Sequence, residues 1–135
     1  MDALKRAPAQ VAFMTVLIDT HILLWILSGS KRLKEVPWLK KYPYWTLSPV
    51  SLLEVQYLVE VGRVSLDFPS ILQKLREDFR FKIDDVSLEE ICLAALNISW
   101  TRDPFDRLLV AHSQVRSLPF GTRDALIREK YSAVL

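Results

Sequence analysis

The sequence holds a single cysteine, Cys92, among 135 residues. One cysteine excludes an intramolecular disulfide and any metal site built on a cysteine cluster. Histidine is scarce as well. His21 and His112 form no close pair, so the usual spacing of a transition-metal site is missing. No apolar run approaches the ~20 residues a membrane span needs. The most apolar stretch, "VAFMTVLIDTHILLWIL", is broken by Asp19, Thr20 and His21. The first ten residues, "MDALKRAPAQ", carry two basic residues but neither a long apolar core nor a small-residue cleavage site, so no signal peptide is read there. Together these absences predict a cytoplasmic protein. Charge of neither sign dominates: a net charge of +2 permits a polyanionic partner without demanding one. There is no internal repeat, low-complexity segment or obvious linker.

Half the residues are apolar and a quarter are charged, enough for a substantial core in one domain. Cys92, inside "EEICLAALNI", reads as a small buried hydrophobe. Residues 12–18, "AFMTVLI", read as a strand buried on both faces. "THILLWILSG" reads as a helix ending at Gly29. "SKRLKEVPWLKKY" is charged and interrupted by Pro37, so a short or broken helix is expected. "YWTLS" is a second strand. Ser48 and Pro49 then supply an N-cap and a first-turn proline for a helix running to 61, with Gly62 past its end. "PSILQKLRED" is a further helix, and "FRFKIDDV" (79–86) alternates as a strand through Phe79, Phe81 and Ile83. Ser87 and Glu90 form a capping box. Asp103 and Pro104 open "DPFDRLLVAHSQV", "LPFGT" (118–122) is a short strand, "DALIREKY" a last helix, and "AVL" an edge strand. This alternation predicts an α/β fold with a mostly parallel sheet covered on both faces. In such folds ligands sit at the carboxyl ends of the strands.

Acids fall at those ends. Asp19 closes the first strand, and an N-cap role explains it equally well. Glu54 lies in a row Val50, Leu53, Glu54, Tyr57, Leu58, Val61 with the spacing of one helix face. A carboxylate there is costly unless paired or metal-bound. The other apolar row, Leu52, Val55 and Val59, then needs cover from a partner. Asp103 and Asp106 fit an N-cap and a first-turn acid, and Asp124 fits a first-turn acid. Singly, each has a structural account. Jointly, Asp19, Glu54, Asp106 and Asp124 converge on one sheet edge without comparable lysines, and a hard divalent cation such as Mg²⁺ or Mn²⁺ relieves their repulsion.

Three blocks, "LIDTHILLW", "LSPVSLLEVQYLVEVGRVSL" and "RDPFDRLLVAHSQVRSLPFGTRD", resemble the signatures of PIN-domain ribonucleases, and among them the VapC-type toxins of bacterial toxin–antitoxin pairs. The likeness runs from about Met14 to Tyr131. It implies a three-layer α/β/α sandwich around a central, mostly parallel sheet, and endoribonuclease activity dependent on one or two Mg²⁺ or Mn²⁺ ions. It assigns Asp19, Glu54, Asp106 and Asp124 as the four metal-holding catalytic acids. Thr20 and Thr122 match supporting polar positions, and Asp103 an extra supporting acid. His21 matches the "DTH" form, where histidine looks structural. The resemblance also implies a homodimer and a cognate antitoxin laid across the active site. Gly121 departs from it, since an aliphatic residue usually ends that strand, and this bears on how Asp124 is held. Residues 1–13 precede the usual start, an N-terminal extension read either as a misassigned start or as a disordered arm, with the nuclease domain over 14–135.

Arg102, Arg107, Arg116 and Arg123 are candidates for phosphate contacts with RNA, with "KRLK" and "LKK" as a basic rim. The four tryptophans are assigned to core or interface. An aspartyl-phosphate phosphatase needs an aspartate two residues after the first, where His21 stands. A receiver domain needs its acidic pair at the first strand, whereas Asp84 and Asp85 follow a later one. The competing reading is an inert PIN-like module that grips RNA or protein without cutting, which the intact set of acids opposes.

Overall fold

The computed structural model describes residues 14–135. The readings of the first thirteen residues lie outside them. The described chain forms β1 (Thr15–Ile18), α1 (Thr20–Ser28), two 3₁₀ turns (Lys31–Glu35 and Pro37–Lys41), β2 (Tyr44–Leu47), α2 (Pro49–Glu60), α3 (Phe68–Glu77), β3 (Phe81–Ile83), α4 (Leu88–Ala95), α5 (Pro104–Arg116), β4 (Phe120–Gly121) and α6 (Ala125–Lys130). The four strands form one parallel sheet in the order β3-β2-β1-β4. The last residues add a parallel bridge between Val134 and Phe120, where the closing strand was expected.

The central strand shows why both sheet faces are covered. Val16 and Ile18 of β1 enter one apolar cluster with Ile22, Leu23, Trp45, Leu47, Val55 and Ile71. Leu17, pointing the other way, enters a second with Ile91, Leu109, Val110, Phe120 and Ile127. Period-two alternation through a strand of unbroken apolar residues therefore makes two cores, and three layers follow. Helix starts obey the capping chemistry read from the sequence. Ser48, Ser87, Asp103 and Asp124 each accept backbone N–H groups of the turn they open. Pro37 separates two 3₁₀ turns, as expected of a broken helix. Trp45 is buried, and Trp25, Trp38 and Trp100 pack against the cores.

Three readings need correction. On α2 the apolar row chosen from the sequence is split: Leu53 is 66% exposed, Tyr57 51% and Val61 49%, Val50 packs against the second core and Glu54 is half-buried, while Val55 of the other row is 1% exposed and Ser51 is buried. The helix is apolar nearly all round, so periodicity could not choose the face, and the buried serine marks the inner one. Replacement tests this directly. Leu53→Ala is expected to change stability by no more than about 0.5 kcal/mol, whereas Val55→Ala costs roughly 1.5–3 kcal/mol in a urea titration. Cys92 is exposed, because α4 packs inward through Ile91 and Ala95 and Cys92 is turned away from them. Finally, β3 is shorter than 79–86: only Phe81 is buried, and Phe79 is 77% exposed in the turn before it.

The end of β3 is stapled to α5. Asp84 accepts from His112 Nε2 at 2.7 Å and from Arg116 Nε and Nη2 at 2.8 and 3.1 Å. Arg116 also reaches Asp85 at 2.9 Å. Burial pushes the Asp84 carboxyl upward, but the His112 and Arg116 hydrogen bonds outweigh it and bring it down to about 2.

Candidate active site

Each of the four acids sits at the start of a helix or one turn in, and the helices begin at the carboxyl edge of the sheet. Asp19 follows β1 directly and caps α1, with Oδ1 accepting from the Thr20 amide at 2.7 Å. Its Oδ2 accepts from the Thr122 hydroxyl at 2.7 Å, across 103 positions of sequence. Glu54 stands in the second turn of α2, Asp106 in the first turn of α5, and Asp124 caps α6. Parallel strand order brings these helix starts to one side of the sheet.

The electrostatics show that the acids face one another. Burial pushes Asp19 up to about 6, against the downward pull of Thr122 and Thr20, with the charges of Asp124 and Asp103 adding to the rise. Burial likewise raises Glu54 to about 7, the Thr20 hydroxyl opposing and Asp19 and Asp103 reinforcing. Asp106 rises to about 7 through burial first and then repulsion from Asp103, Asp19, Asp124 and Glu54. Among the described residues no lysine or arginine forms an ion pair with Asp19, Glu54, Asp106 or Asp124.

Hydroxyls and a histidine hold this arrangement. Thr20 donates to Ser51 Oγ at 2.9 Å, tying the start of α1 to α2 one turn before Glu54. Thr122 accepts from the Asp124 amide at 3.0 Å while donating to Asp19, so one hydroxyl joins two acids. Asp103 caps α5 through the amides of Phe105 and Asp106. His21 Nε2 accepts from the Arg123 amide at 3.1 Å, which leaves the proton on Nδ1, 3.4 Å from Asp19 Oδ2. Burial lowers His21 to about 4, so the ring is neutral at pH 7. Ser51 and this linking role of His21 escaped the sequence reading. A lone serine inside an apolar helix was the available signal for Ser51. His21 had none, because its partner lies 102 positions away.

The arginines divide. Arg102, Arg116 and Arg123 are exposed, Arg102 donating to the Ser99 carbonyl at 2.9 Å and Arg123 lying 3.9 Å from Glu35. Arg107 is tied to the Ala95 carbonyl at 3.0 Å and Arg116 to Asp84, so both serve helix packing in this structure.

Among the described residues no group of three or more His, Cys, Asp or Glu side chains is placed closely enough to hold a metal ion. The donor set is nevertheless all oxygen, and Glu54 Oε1 is buried without a hydrogen-bond partner. Those features suit a hard cation that keeps several of its waters.

Comparison with known proteins gives the same architecture. None of the curated proteins matches the chain significantly. Among solved structures, a chain described as "Toxin-antitoxin complex from Klebsiella pneumoniae" is similar, with 21% identity and a TM-score of 0.66, over 89% of this chain and 95% of that one. At that identity the likeness speaks for the fold. Among the described residues no helix is long and apolar enough to cross a membrane. The PIN domain model matches residues 16–132, which include every acid described above, and the chain belongs to the PIN domain family.

Proposed function

We propose that this PIN domain is a metal-dependent endoribonuclease that acts as the toxin of a VapBC-type toxin–antitoxin pair in the cytoplasm. The observation that carries the reading is the set of mutually repelling, cation-free acids, three of them held well above the usual carboxylate range. Asp19, Glu54, Asp106 and Asp124 would hold Mg²⁺ or Mn²⁺. Such an ion supplies charge neutralisation, a more acidic water and stabilisation of in-line displacement at phosphorus. The chain's own contribution is orientation. The Thr20 amide and the Thr122 hydroxyl each hold one oxygen of Asp19, which fixes its carboxylate plane. Exposed Arg102 and Arg123, with Lys31, Lys34, Lys40 and Lys41, offer phosphate contacts along the rim.

A partner over the site has a surface to use. Leu53, Tyr57 and Val61 stand exposed on the helix that carries Glu54, and Tyr57 stacks obliquely on Phe105 beside Asp106, with ring centroids 6.0 Å apart. We assign that face to the antitoxin. Exposed Leu88, Leu93 and Leu96, on and just after α4, leave a second apolar face for homodimerisation.

The pH dependence of stability tests the site. Asp19, Glu54 and Asp106 have folded-state pKa values above their unfolded ones, so their contribution is fully present below about pH 4. It is lost as pH rises through about 6 to 7. His21, lowered to about 4, works the other way over the same range, but one imidazole is outweighed by three acids. The melting temperature of the metal-free protein therefore falls between pH 4 and 7, and added Mn²⁺ restores it at pH 7. A protein whose melting point ignores Mn²⁺ throughout this range would be an inert module and no metal-dependent nuclease.

A further inference from the structure

Gly121 ends β4, pairs with Ile18 and is buried. A Cβ built on it would overlap Cη2 of Trp38 and lie only 3.0 Å from Cζ2 and Cζ3 of the same ring. No real Cβ tolerates that overlap. The indole therefore fills the space that a side chain at 121 would take, and only glycine permits so close an approach. Trp38 belongs to the second 3₁₀ turn, packs against the first core, and meets the Tyr42 ring edge-on at 6.4 Å and 81°. Both sides of the indole are thus confined.

Much of the candidate site hangs from what the indole presses on. The Gly121 carbonyl accepts from the Asp19 amide at 2.9 Å. Thr122, next along, holds Asp19 Oδ2 and the Asp124 amide, and the Arg123 amide is bound to His21. β4 is only two residues long, bonded along one edge to Leu17 and Asp19 and along the other to Ala133 and Leu135, so its side-chain contacts add directly to how residues 121–124 are set. We infer that Trp38 is a positioning residue: its indole stands in for the missing side chain at 121 and clamps residues 121–124 against Asp19. The contacts of Trp38 described here are with Gly121, Tyr42 and the first core, so its effect on the acids passes through the backbone of residues 121–124. Catalytic groups tolerate errors of only ~0.5 Å, so a clamp at this point sets how well Asp19 and Asp124 are placed.

The activity arm of the test rests on the proposed nuclease function, while the exchange arm does not. Amide hydrogen exchange is followed by NMR in the full chain for wild type, Trp38→Leu, Gly121→Val and the double variant. Each single change is expected to speed exchange at Asp19 and Arg123 by about tenfold or more, while Val110 and Ala111 in α5 stay near wild type. The double variant, with the aliphatic residue restored at 121 and the ring removed, is expected to return to within about threefold of wild type, the non-additivity of residues in contact. In RNA cleavage, kcat falls in both single variants with KM little changed and recovers in the double. Should Gly121→Val not fold, Trp38→Phe alone is expected to speed exchange at Asp19 and Arg123 selectively. Exchange that rises equally in α5, stays unchanged at Asp19, or is simply additive in the double variant overturns the inference. A wild type that cuts no RNA overturns the nuclease reading and leaves the exchange result to decide the role of Trp38.

Discussion

Asp19→Asn is expected to lower kcat/KM for RNA cleavage by about 10²–10³-fold or more, the scale of losing one preorganised electrostatic group at a reacting centre. The residue is 4% exposed and both its carboxylate oxygens are committed, one to the Thr20 amide and one to the Thr122 hydroxyl. Asparagine keeps the shape and the bond from Thr20. It removes the negative charge and replaces the acceptor facing Thr122 with a donor, so that hydroxyl must turn. Relief of a buried, repelled carboxylate offsets the disturbed bond, and the metal-free variant should melt within a few degrees of wild type at pH 7 while losing most of its stabilisation by Mn²⁺. Cleavage of a mixed RNA pool with Mg²⁺ is the measurement. Equal activity in the two proteins would remove Asp19 from the chemistry and with it the proposed mechanism.

A large loss of stability is expected from Asp84→Ala, about 1–3 kcal/mol, the cost of leaving a buried polar group without its hydrogen-bond partner. His112 is fully buried, and among the described residues its Nδ1 has no hydrogen-bond partner while its Nε2 bonds Asp84. Truncating Asp84 leaves that ring with nothing to bind. Arg116→Ala should cost only about 1 kcal/mol, since the arginine is more than a third exposed and screened by water. The pH dependence has the opposite sign to that of the site acids. Asp84 is held at about 2 in the folded chain, below an unfolded value near 3.9. Its contribution is present above about pH 4 and lost as pH falls toward 2. Urea denaturation of both variants, at pH 7 and pH 3, is the check. A cost under about 1 kcal/mol for Asp84→Ala at pH 7 would show the staple to be dispensable.

The contrast between these two clusters explains what was legible in the sequence. Asp19, Glu54, Asp106 and Asp124 could be gathered on paper because three stand at strand or helix starts and Glu54 one turn further in, and a parallel sheet sends all such starts to one edge. The caps at Ser48, Ser87 and Asp103 were legible for the same reason: their partners lie within three residues. Asp84, His112 and Arg116 carry no such local sign. Their bonds span 28 and 32 positions, and an acid after a strand looks the same whether or not a buried histidine waits for it. The face of α2 was misread because Leu52, Leu53, Val55, Leu58, Val59 and Val61 surround the helix. Gly121 was noticed as a departure, but the ring that fills its place lies 83 positions earlier, beyond any pattern of spacing.

The bond between Thr122 and Asp19 also dictates when during synthesis the centre can exist. A ribosome that has released β1, β2 and α2 has delivered Asp19 and Glu54, yet the hydroxyl that orients Asp19 and the carboxylates of α5 and α6 are still to be translated. Local helices form in microseconds, but this pairing waits for ribosomal elongation to pass codon 124, at ~5–20 residues per second. The four acids are therefore assembled only once almost all of the domain has emerged.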